Sequence, residues 1–98
     1  MSERRVLILA DIVTERERQI KKWGEHSHRY PEWISLLTEE VGEAATEANK
    51  ANWATELPET VRRMRLLRNE LVQVGAVCVQ ILEDLDHNLS GFEGRFDD

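Results

Sequence analysis

The chain has little of what staples, kinks or unfolds a small protein, and it is short of positive charge. A single cysteine, Cys78, excludes an internal disulfide. Its place inside an apolar run assigns it to packing in a reducing compartment. Two prolines, Pro31 and Pro58, and five glycines in 98 residues exclude a low-complexity linker or a collagen-like repeat. No apolar run approaches the roughly 20 residues of a membrane span. The basic start at Arg4 and Arg5 leads only into Val6 to Leu9 before Asp11, with no small-residue cleavage site, so a cytoplasmic chain without a membrane partner is expected. Lys and Arg number 13 against 19 Asp and Glu, a net charge of −6. That balance excludes a broad grip on nucleic acid, which clustered cations provide, and suits the binding of cations instead.

The residues that are present describe one soluble domain, with 41% hydrophobic and 33% charged positions. A chain this short leaves much of its surface uncovered, so self-association is expected. The prolines divide it into three helical stretches, an all-α bundle of three to four helices. The first runs from about Arg4 to Lys22, with Leu9, Ile12, Val13, Ile20 and Trp23 at helical spacing, although Val6 to Leu9 also fits a strand. Trp23 to Trp33, with two histidines, a proline and three aromatics, reads as an ordered loop. The second helix is expected from about Glu32 to Lys50, burying Ile34, Leu37, Val41, Ala44, Ala45 and Ala48, with a turn over Asn49 to Thr55. From Pro58 the pattern continues to about His87, a helix of roughly 45 Å if unbroken. Such a length calls for a bend before Arg68 or a partner subunit over the overhang. Residues from about 89 to 98 read as an irregular tail.

Chemistry concentrates in carboxylates. Glu39, Glu40, Glu43 and Glu47 crowd the second helix, and Glu40, Glu43 and Glu47 share a face. Glu40 borders the apolar stripe and Leu36 falls among the acids, so this face is expected to meet protein, where a cation would relieve the repulsion. On the third helix Gln73 and Gln80 are the only polar residues between Leu71 and Leu82, and Glu70 and Asp84 lie on their side. Antiparallel packing of the two helices could bring Glu40 and Glu43 to Glu70 and Gln73, a hard-oxygen set suited to Mg²⁺ or Mn²⁺. Buried polar contacts at a helix or subunit interface are the competing explanation.

Glu40-Val41-Gly42-Glu43, followed by Glu70-Leu71-Val72-Gln73, resembles the E-x-x-E and E-x-x-D signature of the MazG-like nucleotide pyrophosphohydrolases. The segment Glu15 to Gln19 with Lys21-Lys22-Trp23-Gly24 is similar to a short Lys-Trp-Gly subgroup of that family, in which a histidine follows, here His28. Gln73 departs from the family's aspartate and binds Mg²⁺ less strongly than a carboxylate, though the subgroup accepts glutamine there. The resemblance implies an all-α fold completed by a homodimer or homotetramer. It also implies hydrolysis of a nucleoside triphosphate to a monophosphate and pyrophosphate, with Mg²⁺ held by Glu40, Glu43, Glu70 and Gln73.

Within that frame Glu39 is the candidate base, and Lys22, His28 and Arg68 are candidates for phosphate. Trp23 could stack on a base, but as the end of the first helix's apolar stripe it reads first as a core anchor. Gln73 also admits a non-catalytic helical module that binds a nucleotide or a protein. A related phosphoribosyl-ATP pyrophosphohydrolase is disfavoured by the Lys-Trp-Gly segment.

Overall fold

A computed structural model describes residues 2–93, which form three α-helices, α1 Glu3–Trp23, α2 Tyr30–Trp53 and α3 Leu57–Glu93, with their short connections and the capping Ser2. Each start has a local cause. Ser2 Oγ accepts from the Arg5 amide at 3.2 Å, while Glu3 in the first turn and Lys21 and Lys22 in the last complement the helix dipole. Gly24 closes α1 at φ 76°, a backbone conformation that side-chain-bearing residues avoid, and its amide donates to the Ile20 carbonyl. Pro31 occupies the first turn of α2, and Glu32 accepts the Arg29 amide at 2.9 Å, so the helix begins two residues before Glu32. At its other end α2 runs on to Trp53, which shortens the expected Asn49 to Thr55 turn to residues 54–56.

The third helix is one piece. Its 37 residues at 1.5 Å each give about 55 Å, which matches the 54 Å long axis of the molecule. No bend is needed before Arg68, and Leu89 to Glu93, expected to be irregular, remain helical. A glycine such as Gly91 lowers helix stability by only about 1 kcal/mol, too little to end a helix already propagating. Residues 94–98 of the expected tail lie outside the described residues. The ambiguous segments Val6 to Leu9 and Leu71 to Leu82 are both helical.

Both α1 and α2 pack along α3 and not on each other. Gly75 permits the close seat of α1, because a Cβ there would stand 2.9 Å from Ile12 Cδ1. The buried apolar set is small: Trp33, Ala44, Ala76 and Ile81. Of the stripe expected to bury α2, only Ala44 is enclosed and Leu37 half-buried, whereas Ile34, Val41, Ala45 and Ala48 are exposed. The reason is that α2 has one helical neighbour, so a narrow seam is covered where two neighbours would cover a broad one. Cys78, expected in the core, is half-buried. Leaving α1 and α2 apart opens a gap above α3, and the gap holds the site.

Candidate metal centre and the adjoining pocket

Glu40 and Glu43 from α2 and Glu70 from α3 each direct a carboxylate oxygen to one point, all within 4.8 Å of one another. The one-turn spacing of Glu40 and Glu43 puts them on the seam that faces α3, and Glu70 meets them across it. Glu40 and Glu70 are half-buried, and the Oε2 atom of each is enclosed with no hydrogen-bond partner among the described residues. An enclosed, unpaired carboxylate oxygen is costly. Burial raises the Glu40 carboxyl above its ordinary range, and the charges of Glu43, Glu15 and Glu39 add to the rise. Burial likewise raises Glu70, followed by the neighbouring Glu43 and then by Glu40 and Glu47. Several hard oxygens converging with no cationic side chain among them are a donor set for a divalent cation, and Glu40, Glu43 and Glu70 fit one.

Glu47 leaves this group. Its Oε2 is likewise enclosed without a hydrogen bond, but it has cations in ion-pair reach, Arg63 Nη1 at 3.5 Å and Lys50 Nζ at 3.8 Å, which Glu40 and Glu70 lack among the described residues. Gln73 stands beside the cluster in the wall of a cavity of about 360 Å³ that the gap between α1 and α2 creates. Gln19 and Trp23 of α1, Trp33, Leu36, Glu39 and Glu40 of α2, and Gln73, Val77 and Gln80 of α3 line it, with Arg18, His26 and His28. One wall is aromatic: Trp33 stacks on His26 at 5.9 Å between centroids and meets His28 edge-on at 4.7 Å. Amides of Gln19, Gln73 and Gln80 also line the cavity, and Gln19 Oε1 is enclosed and unpaired.

The remaining candidates are distributed around this cavity. Trp23, expected as a core anchor, is 59% exposed. It ends α1 where no second helix covers it, and its ring lies beneath Lys22 Nζ at 4.7 Å and beside the Arg18 guanidinium at 5.8 Å. Lys22 is therefore at the rim and not in the wall. His28 is in the wall, half-buried, and Glu39 is in it and exposed. Arg68 turns to α1, where it pairs with Asp11 at 2.8 Å and lines a neighbouring depression with Arg18 and Gln73.

Three contributors were given no role in the site by the sequence reading. Glu15 from α1 adds a fourth carboxylate near Glu40, and its own carboxyl is held below the usual range by the hydrogen bond from Arg18. Arg18 borders both depressions. A Glu15 and Arg18 pair three residues apart looks like an ordinary solvated helix pair, so the sequence carries no signal for it. Asp84, the third, accepts from Trp33 Nε1 at 2.7 Å and from Ser27 Oγ. Comparison of the chain with protein-family models, curated proteins and solved structures gives no match.

Proposed function

We propose that this chain is a Mg²⁺-dependent nucleoside triphosphate pyrophosphohydrolase, with Mn²⁺ as an alternative ion, of the MazG-like kind. The observation that carries the reading is the convergence of Glu40, Glu43 and Glu70, two of them with enclosed unpaired oxygens, next to a cavity that Glu40 itself lines together with aromatic rings. Carboxylates of this kind bind a hard cation, and a planar base is the usual companion of an aromatic wall. When bound, the cation supplies neutralisation of phosphate charge and acidification of a water.

The chain's own residues do the rest. Glu40, Glu43 and Glu70 hold the cation, with Gln73 as a weaker oxygen donor beside them. Trp23, His26 and His28 offer faces and edges to the base, with buried Trp33 backing the two histidines, and Arg18 and Lys22 bring positive charge to the rim near Trp23. Glu39 takes the proton from the attacking water. The bond between the α-phosphorus and its bridging oxygen breaks, and pyrophosphate leaves with that oxygen.

The working unit in this reading is a homodimer or homotetramer. Its support is surface: the chain exposes 7495 Å², against about 5,800 Å² for a compact monomer of its mass. Specific interfaces bury about 800 Å² per partner. Exposed Val6, Leu9 and Val13 on α1 and Ile34 and Val41 on α2 supply apolar area for it. Among the described residues no helix is long and apolar enough to cross a membrane.

The test is pyrophosphate release from a panel of nucleoside triphosphates with Mg²⁺ or Mn²⁺, wild type against Glu43→Gln. Turnover in the wild type and a loss of about 100-fold or more in a folded mutant are expected. Gln73, a neutral amide where the resembled family has aspartate, favours one other reading, a module that binds nucleotide without cleaving it. Binding without turnover under either metal would select it.

A further inference from the structure

Outside the carboxylate cluster, the strongest polar convergence is at Asp84 on α3. Its Oδ2 accepts from Trp33 Nε1 at 2.7 Å, and both of its oxygens accept from Ser27 Oγ at 2.9 Å. One carboxylate therefore joins three parts of the chain: α3, the first turns of α2, and the loop between α1 and α2. Trp33 is only 1% exposed, so its indole N–H would be left unpaired inside the protein without Asp84. The rings that line the cavity are ordered around this tryptophan. His26 stacks on it with an interplanar angle of 27°, His28 meets it at 86°, and the two histidines lie edge to face at 4.8 Å. Trp33 has one polar handle, and Asp84 holds it.

We propose that Asp84 is a positioning residue for ligand recognition: by fixing the Trp33 indole it sets His26, His28 and Trp33 as one wall for the planar heteroaromatic ring of a nucleoside phosphate. The inference rests on the nucleotide reading above and extends it from the phosphate end of the site to the ring end. Two flanking contacts brace the same arrangement. Arg16, 5% exposed, reaches Glu83 at 2.7 Å and Glu25 of the loop at 3.4 Å, and Asn88 donates to the Tyr30 hydroxyl at 3.1 Å. Neither accepts from the Trp33 indole, so Asp84 is the residue whose loss frees the wall while Arg16 still holds the loop at Glu25.

The experiment measures binding of AMP, CMP, GMP and UMP by calorimetry in wild type, Asp84→Ala and Asp84→Asn, with the Mg²⁺-induced thermal shift followed in parallel. Asparagine keeps an acceptor oxygen for the indole and alanine does not. In Asp84→Ala, affinity for the monophosphate the wild type prefers should fall about 10-fold, the size of one base-stacking contact. The Mg²⁺ shift should stay as in wild type, and Asp84→Asn should recover affinity to within about threefold. In turnover, KM rises and kcat holds. Trp33→Phe, which keeps a ring and loses the N–H, should weaken binding in the same direction and serves if Asp84→Ala does not fold. Unchanged affinity in Asp84→Ala, or equal loss of ring binding and of the Mg²⁺ shift, overturns the positioning role alone. A wild type that binds none of the four monophosphates overturns the nucleotide reading itself.

Discussion

Along α3, two stretches little more than a dozen residues apart treat their acids in opposite ways. Near the C-terminal end Glu83 and Asp84 meet partners from α1, α2 and the loop between them, and the Asn88 amide reaches Tyr30. Near the middle, Glu70 meets Glu40 and Glu43, and enclosed oxygens remain unpaired. Native chains pair nearly all enclosed polar atoms, so the first stretch is what stability selects and the second is an exception that needs a cause. A bound cation supplies one. The contrast separates the two regions, one holding the loop and its rings, the other, in the proposed reading, holding charge in reserve for an ion.

The sharpest way to break this comparison is Glu70→Gln. If the middle of α3 exists for a cation, the mutant should lose about 100-fold or more in pyrophosphate release. It should also gain no thermal stability from Mg²⁺. In the wild type, Mg²⁺ at 100 times its Kd adds about 2.7 kcal/mol. For a chain of this length that is a rise in Tm on the order of 10 °C or more. Calorimetric melting with and without Mg²⁺ reads both proteins. Equal shifts in the two would assign the cluster to an unrelieved structural cost.

A pH series sharpens the same point with a smaller effect. Glu40 and Glu70 have raised carboxyl pKa values in the folded chain, so between the ordinary carboxylate range and those raised values the folded state binds more protons than the unfolded one. Metal-free stability should therefore fall as pH climbs through that window and recover as pH drops back. The Mg²⁺ increment should grow over the same climb, because the ion competes with protons for the same oxygens. Glu15 works in the other sense: its carboxyl is held low by Arg18, so its contribution is present above the ordinary range and is lost as pH falls below it. Melting curves from acid to neutral pH, with and without Mg²⁺, separate the opposing trends. A metal-free stability that only rises with pH would remove the strained cluster from consideration.

These contrasts explain what the sequence could tell. Helix periodicity and two prolines were enough for three helices, because those signals are local. Glu40, Glu43 and Glu70 were legible because one-turn spacing and a polar stripe on an apolar helix oblige a common face. Which neighbour covers that face is not local information. The α2 stripe was read too wide because Ile34, Val41, Ala45 and Ala48 need a second neighbour that the chain alone does not provide. Trp23 was read inward because it continues an apolar row, but the row outlasts the stretch that α3 covers. Asp84 could not be matched to Trp33 or Ser27, more than fifty residues away, since nothing in a single sequence pairs a carboxylate with a distant indole.

The smallest effect concerns the acid that sequence alone could not separate from its neighbours. Glu47 shares a helix face with Glu40 and Glu43, yet Arg63 and Lys50 engage its carboxylate, and it stands outside the group of three. Glu47→Gln should leave pyrophosphate release within about twofold of wild type and keep the Mg²⁺ shift intact. Its stability cost should be about 1 kcal/mol or less, since Lys50 is well exposed and the Arg63 contact is a long one at 3.5 Å. Removing its charge also takes one acid away from Glu70, so the metal-free protein should lose less than the broken ion pairs alone would cost. If Glu47→Gln instead abolished turnover as Glu43→Gln is expected to do, the ion site would have to extend a further turn along α2, and the boundary between paired and reserved carboxylates would move with it.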